Sequence, residues 1–223
     1  MRIIIFGATG MIGAGTLIEA LADPQVESVL AVGRRPSGVV HAKLEEGLHA
    51  DFYDYAALQA RWPGYDACLF CLGVTSAGLD EASYRRLTYD LTLAAARSMA
   101  AANPGMVFCY VSGASTDSTG QGRMMWARVK GETENAILAL PFKAAYMFRP
   151  GYIQPLKGVR SSTRWYQAMY DIVGPLYPVL RRMAPGAVTN TETLGRALIR
   201  VAAHGYETRV LEGRDINRVG EPA

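Results

Sequence analysis

The sequence predicts an α/β fold, a doubly wound parallel sheet with a small C-terminal helical elaboration. Two observations carry that expectation. Short apolar runs alternate with longer segments of helical period through the first two thirds of the chain, and a glycine-marked turn follows directly on the first run. Strands that read as continuous apolar runs between helices belong in a parallel sheet covered on both faces.

The first run is Arg2–Phe6, followed by runs at 27–33, a weak one ending near Asp51, and runs at 65–72, 106–112 and 143–148. Each is short, rich in Ile, Val, Leu, Phe or Cys, and most close on Gly, Ser or Arg. The helical segments between them are Met11–Ala22, 55–61, 80–102 and 122–140. Their stops are Asp23-Pro24, Trp62-Pro63-Gly64 and Asn103-Pro104-Gly105, since proline cannot continue a helix. After Pro150 the pattern changes to a loop, a helical piece over 163–183, a helix over Thr191–His204, a short strand over 209–211 and a polar tail. No repeat or low-complexity linker divides the chain, so one domain over 1–223 is expected, with 151–223 as its substrate-side elaboration. The apolar stretch 165–180 is interrupted by Gly174-Pro175 and Pro178; it is expected to roof a pocket or pack on the core, with a membrane or partner surface as the alternative.

Composition narrows the function classes. Of 223 residues, 50% are apolar and 19% charged, and mean hydropathy is +0.06, which excludes disorder and fibrous repeats. Three cysteines do not make a disulfide scaffold, so a reduced, cytoplasmic compartment is expected. The apolar stretch before Gly7 is too short for a signal-peptide core, and no run is long enough for a membrane span. The net charge is +3; the pairs Arg34-Arg35, Arg85-Arg86 and Arg181-Arg182 lie far apart without interleaved aromatics, so no nucleic-acid partner is expected. His41, His49 and His204 lack metal-ligand spacing. Cys68 and Cys71 have redox spacing but fall on opposite faces of a strand.

Chemistry enters at Gly7-Ala8-Thr9-Gly10-Met11-Ile12-Gly13, which follows the first strand and opens the first helix. In that context Gly7 permits a tight turn, Gly10 lets the backbone approach a pyrophosphate, and Gly13 allows close packing of helix on strand. The free N–H groups of the helix start then hold the anion. At the end of the second strand, where a carboxylate would bind the ribose hydroxyls of NAD, the chain has Arg34 and Arg35. A guanidinium pairs with a 2′-phosphate, so NADP(H) is expected over NAD(H).

The Gly-x-x-Gly-x-x-Gly spacing resembles the extended or atypical short-chain dehydrogenase/reductases, which have the Rossmann fold. The stretches Cys71-Leu72-Gly73-Val74-Thr75, Val129-Lys130-Gly131-Glu132 and Phe148-Arg149-Pro150-Gly151 look like the Tat-interacting-protein-like branch of that superfamily, over about residues 1–155. The resemblance implies an NADP(H)-binding protein whose roles are often regulatory. It further implies that Asp51, with Phe52, meets the adenine, that Cys71, Leu72 and Gly73 pass beneath the cofactor, that Ser112 is the active-site serine, and that Pro150 lies at the nicotinamide end.

The chain departs from the family at its catalytic Tyr-x-x-x-Lys: Lys130 is present, but Trp126 stands where the tyrosine belongs. A phenol lowered by a neighbouring ammonium exchanges a proton near neutral pH, whereas an indole N–H only donates a hydrogen bond. Lys130 keeps either the family's hydrogen bond to the nicotinamide ribose or a plain solvated role. Trp126 either lines the site or packs in the core with Val129, Thr133 and Ile137. Tyr152, just after the sixth strand, is a candidate replacement donor, with Tyr84, Tyr89 and Tyr110 candidates by type alone.

Three functions follow. The first is an NADP-dependent oxidoreductase acting on a small carbonyl substrate with a non-classical proton donor. The alternative is a non-enzymatic NADP(H)-binding regulator or redox sensor with a protein partner. A sugar-nucleotide epimerase shares the glycine signature but needs the same tyrosine and a larger substrate domain. Apolar helices would permit a homodimer.

Overall fold

The computed structural model of the chain describes residues 1–157 and 177–221. Its centre is a seven-stranded, all-parallel sheet. The strands are β1 (Arg2–Phe6), β2 (Ser28–Gly33), β3 (Leu44–Leu48), β4 (Ala67–Phe70), β5 (Val107–Val111), β6 (Ala144–Arg149) and, at the far edge, β9 (Val210–Glu212). The spatial order is β3-β2-β1-β4-β5-β6-β9, so the winding reverses between β1 and β4. Ligands of such sheets bind outside the carboxyl ends of the strands at that reversal.

Alternation along β1 builds two cores. Ile3 and Ile5 face a cluster with Leu17, Leu198 and Ile216, contributed by the helices α1 (Met11–Ala22), α6 (Thr191–His204) and α7 (Gly213–Gly220). Ile4 and Phe6 face the other cluster, with Leu93, Met99 and Ile137 from α3 (Leu91–Ala102) and α4 (Met125–Leu138). The two-residue period of a strand thus buries both faces of the sheet. Cys68 belongs to the second core and Cys109 to the first, and Cys71 packs against the first. The three thiols are free and the strand separates 68 from 71 as expected.

Several sequence expectations are corrected. Residues 55–61 do not form an α-helix; a 3₁₀ helix occupies Gln59–Gly64, with Pro63 inside it and Trp62 fully buried. Proline removes the N–H that an α-helical turn would use. The expected helix over 80–102 is three pieces: α2 (Glu81–Arg85), a π-helical turn over Arg86–Asp90, and α3. The polar tail is the helix α7, which starts at a capping box: the Glu212 side chain accepts from the backbone of Asp215, and Asp215 Oδ2 accepts from the Glu212 N–H at 3.2 Å. A second sheet, β7 (Tyr152–Gln154) paired parallel with β8 (Val188–Asn190), went unpredicted. Of the helical piece over 163–183, α5 (Tyr177–Met183) is described, and the rest, with most of the apolar stretch 165–180, lies outside the described residues. No helix among the described residues is long and apolar enough to cross a membrane.

Candidate functional site

The turn from β1 into α1 forms the floor of the site. Gly7 has φ +80°, which L side chains rarely adopt, and a Cβ there would lie 2.9 Å from the Leu72 nitrogen. The Gly10 N–H donates to the Gly7 carbonyl at 2.8 Å, closing the turn. A Cβ on Gly13 would come to 2.1 Å from the Gly7 carbonyl oxygen, so α1 is seated directly on the turn. Gly10 caps the helix without a side chain, and no acidic residue stands in its first turn. The amides there are left facing the carboxyl end of the sheet, the arrangement that favours an anion.

Three cavities meet at Leu72. One, of about 60 Å³, is bordered by Gly7, Ala8 and Thr9 and by the exposed Arg34 and Arg35 at the end of β2. Glu46 reaches the same cavity from β3, where its carboxylate accepts from the Ser37 N–H at 2.9 Å and from the Ser37 hydroxyl at 2.5 Å. A second cavity, of about 210 Å³, is bordered by Asp51, Phe52, Gly73 and Leu87. Asp51 is exposed and accepts from the Tyr53 N–H at 2.9 Å, while Phe52 packs edge-on against Phe6 at 6.2 Å. The third is an open cleft of about 560 Å³. Here Gly10, Met11 and Ile12 meet Cys71, Gly73, Ser112, Trp126, Lys130 and Pro150. Gly13 sits beneath the turn rather than in any of these cavities.

The cleft's chemistry centres on the start of α4. Trp126 is half-buried and lines the cleft, whereas Val129, Thr133 and Ile137 are buried beneath it. The Lys130 ammonium donates to the Ser112 carbonyl. Burial holds that ammonium down to about 8, with the Glu134 carboxylate pulling in the opposite direction. Ser112 is buried, and its hydroxyl donates to Glu134 Oε1 at 2.5 Å, with the Phe148 carbonyl at 3.1 Å. Cys71 stands on the opposite wall, its sulfur 3.8 Å from the Thr16 hydroxyl, and burial pushes its thiol up to about 12.

Glu134 is the residue that sequence reasoning missed. It is 1% exposed and takes a bidentate contact from Arg149, whose Nε lies 3.1 Å and 3.2 Å from its two oxygens. Arg149 also donates to Glu212 at 3.2 Å and to the Ser118 hydroxyl at 2.5 Å. The Glu134 hydrogen bond, then the Glu212 contact, hold the Arg149 guanidinium above its ordinary range. The available signal was the spacing of Lys130 and Glu134, one helical turn apart, facing an arginine at a strand end. Tyr152 is not among the described residues that line the cleft; its hydroxyl donates to Gln154 Oε1 at 2.7 Å, and burial raises its pKa. No group of His, Cys, Asp or Glu suited to a metal occurs among the described residues.

No family model matches the chain. Among curated proteins, "Protein fmp52-1, mitochondrial" of Aspergillus terreus is 31% identical over 236 residues, covering 98% of each chain. "Protein fmp52, mitochondrial" of Emericella nidulans is 28% identical over 222 residues, covering 96% of this chain and 92% of its own. These relatives are named as mitochondrial, which overturns the expectation of a cytoplasmic compartment. Among solved structures, the Bordetella bronchiseptica enzyme WbmF in complex with NAD⁺ matches with a TM-score of 0.67 at 14% identity, over 97% of this chain and 76% of that one. The UDP-N-acetylglucosamine 4-epimerase of Methanobrevibacter ruminantium matches at 0.68 and 13%, over 94% and 74%. A short-chain dehydrogenase/reductase superfamily protein of Agrobacterium tumefaciens with bound NAD matches at 0.64 and 15%, over 92% and 74%. The fold is thus that of the atypical short-chain dehydrogenase/reductases, as the glycine spacing led one to expect.

Proposed function

The chain belongs to the FMP52 family, and on that premise we propose that it is a nicotinamide-dinucleotide-dependent oxidoreductase that prefers NADP(H) and reduces a small carbonyl substrate. The observation that carries the reading is the meeting of the glycine turn, Ser112, Lys130 and Pro150 in one cleft at the reversal of the sheet. The cradle fits a dinucleotide: Gly7 and Gly13 occupy positions that a Cβ would fill with backbone contacts, and the start of α1 has no side chain competing for its amides. The names of the relatives support a mitochondrial place of action.

Each residue then has a part. The amides of Met11 and Ile12, just past the turn that the Gly10 N–H closes, hold the pyrophosphate. Arg34 and Arg35 pair with the 2′-phosphate, and the nearby Glu46 carboxylate opposes it, so the preference rests on two cations against one anion. Asp51 receives the adenine amino group beside Phe52, and Cys71, Leu72 and Gly73 support the dinucleotide from below. Lys130 binds the nicotinamide ribose, and Pro150 bounds the nicotinamide end of the cleft. The reduced dinucleotide, when bound, supplies a hydride to the carbonyl carbon. Glu134 holds the Ser112 hydroxyl, so Ser112 shapes the wall and positions its carbonyl under Lys130.

The test is NADPH oxidation with a panel of aldehydes and ketones, by the wild type and Trp126→Tyr side by side. Turnover by the wild type is the expected result. Tight NADPH binding by both with turnover by the tyrosine variant alone would favour a binding regulator, a reading motivated by Trp126 in the tyrosine's place.

A further inference from the structure

Reducing a carbonyl requires a proton for the oxygen as well as a hydride for the carbon, and the residue that usually gives it is a tryptophan here. We propose that Lys130 itself is the proton donor, its ammonium protonating the substrate oxygen in the cleft. This rests on the reading of the cleft as a carbonyl-reducing, dinucleotide-binding site.

The cleft supports the assignment by elimination and by geometry. Among the described residues lining it, the ionisable side chains are Lys130 and Cys71. The Ser112 proton is directed at Glu134, away from the cleft, and an indole N–H does not titrate in a useful range. Tyr152 does not line the cleft and gives its hydroxyl proton to Gln154. The Lys130 nitrogen, in contrast, lies at the cleft wall over the Ser112 carbonyl, 3.8 Å from where a Cβ on Gly113 would stand. The absence of a side chain on Gly113 leaves that approach open.

The charges around Lys130 suit it to the task. On its own helix it faces Glu134, whose carboxylate is shared with Arg149 of β6 and the Ser112 hydroxyl of the β5 end. Across the cleft, at the end of β4, stands Cys71, a thiol kept protonated by burial. With Glu134 occupied by Arg149, desolvation dominates and leaves an ammonium that is charged at pH 7 yet yields its proton readily, which is what a general acid near its operating pH needs.

The step balances. The substrate C=O π bond breaks; its carbon forms a C–H bond with the hydride of the reduced dinucleotide, and its oxygen forms an O–H bond with a proton of Lys130. An alcohol and the oxidised dinucleotide leave, and the neutral amine regains a proton from solvent through the open cleft. Reduction therefore needs the ammonium and alcohol oxidation needs the amine.

The experiment compares wild type, Lys130→Arg and Lys130→Met in three measurements: NADPH binding by fluorescence titration, kcat for 4-nitrobenzaldehyde reduction between pH 6 and 10, and ¹³C NMR titration of lysines labelled by reductive methylation. In the wild type, kcat should fall about tenfold per pH unit above roughly pH 8. Lys130→Arg, whose guanidinium does not titrate in this range and keeps donors for the ribose, should still saturate with NADPH, though more weakly than wild type, lose about a hundredfold or more in kcat at saturating NADPH, and show no limb near pH 8. The labelled lysine signal that responds to added NADP⁺ should titrate near 8, which tests the proposal even if a variant fails to fold. A limb that persists in Lys130→Arg, a kcat within threefold of wild type, or a labelled signal titrating above about 10 would overturn the donor role. Failure of the wild type to bind NADPH, or binding with no aldehyde reduction, would instead overturn the reading of the cleft beneath it.

Discussion

Ser112 and Glu134 are joined inside the fold: the serine hydroxyl donates to Glu134 Oε1 at 2.5 Å, and the same carboxylate is clamped by Arg149. The serine that resembles a catalytic residue is therefore tied to a structural ion pair joining α4 to the ends of β5 and β6. Its carbonyl, rather than its hydroxyl, is what meets Lys130.

Removing Glu134 should expose the cost of that arrangement. Arg149 is 12% exposed, and Glu134→Ala would leave it with Glu212 alone as an ionic partner among the described residues. Breaking one side of a buried pair costs about 3–5 kcal/mol. The lower end is expected, because Glu212 and the Ser118 hydroxyl remain. Urea unfolding midpoints of Glu134→Ala and Arg149→Ala check this, and the double variant should lose less than the sum of the two.

The glycine turn should tolerate no side chain at its tightest point. Gly13→Ala would press a methyl group to 2.1 Å from the Gly7 carbonyl oxygen, a clash with backbone that only a shift of α1 relieves. Overpacking of this kind costs about 1–3 kcal/mol. Thermal unfolding should show that loss, and NADPH titration should show affinity lowered at least tenfold, since the displaced amides are those that hold the pyrophosphate.

Burial of Lys130 should be visible as pH-dependent stability. The folded ammonium is held down to about 8 from an ordinary 10.5, so the unfolded chain binds more protons between those values. The charged lysine therefore destabilises the fold at pH 7, and the penalty fades as pH rises from about 8 to 10.5. At about 1.4 kcal/mol per unit, the full swing is at most roughly 3.5 kcal/mol. Guanidinium unfolding of wild type and Lys130→Met should show the wild type gaining on the variant across that window. A constant difference would show that Lys130 is not desolvated.

Much of the fold was legible because the central strands β1, β2, β4, β5 and β6 are largely apolar runs and the first helices stop at prolines. What escaped had weaker local signals. The pair β7–β8 consists of three-residue strands brought together from distant parts of the chain, with Ile153 opposite Thr189, and no local pattern encodes that register. The helix α7 reads as polar because only Ile216 among its apolar residues is buried; it is held by Asn217, which donates to the Pro185 and Val188 carbonyls at 2.6 Å and 2.8 Å. At the site, the glycines, arginines and Lys130 were legible because backbone conformation and charge constrain residue type there. Glu134 and Glu46 were not, since an acidic residue in a helix or on an edge strand ordinarily reads as solvated surface.

Glu46 bears on cofactor choice. It shares a cavity with Arg34 and Arg35, so Glu46→Gln should tighten NADPH binding while leaving NADH nearly unchanged. The double substitution of Arg34 and Arg35 by alanine should weaken NADPH binding by about 1.5–3 kcal/mol, the worth of hydrogen bonds between charged groups, again sparing NADH. Isothermal titration with both nucleotides checks each variant.

The most direct test of the central claim is titration of the wild-type protein with NADPH and NADH, followed by nucleotide fluorescence. The arginines at the end of β2 predict saturable binding of both, with NADPH at least tenfold tighter and that advantage shrinking as salt is raised. Absence of binding, or a preference for NADH, would contradict the account.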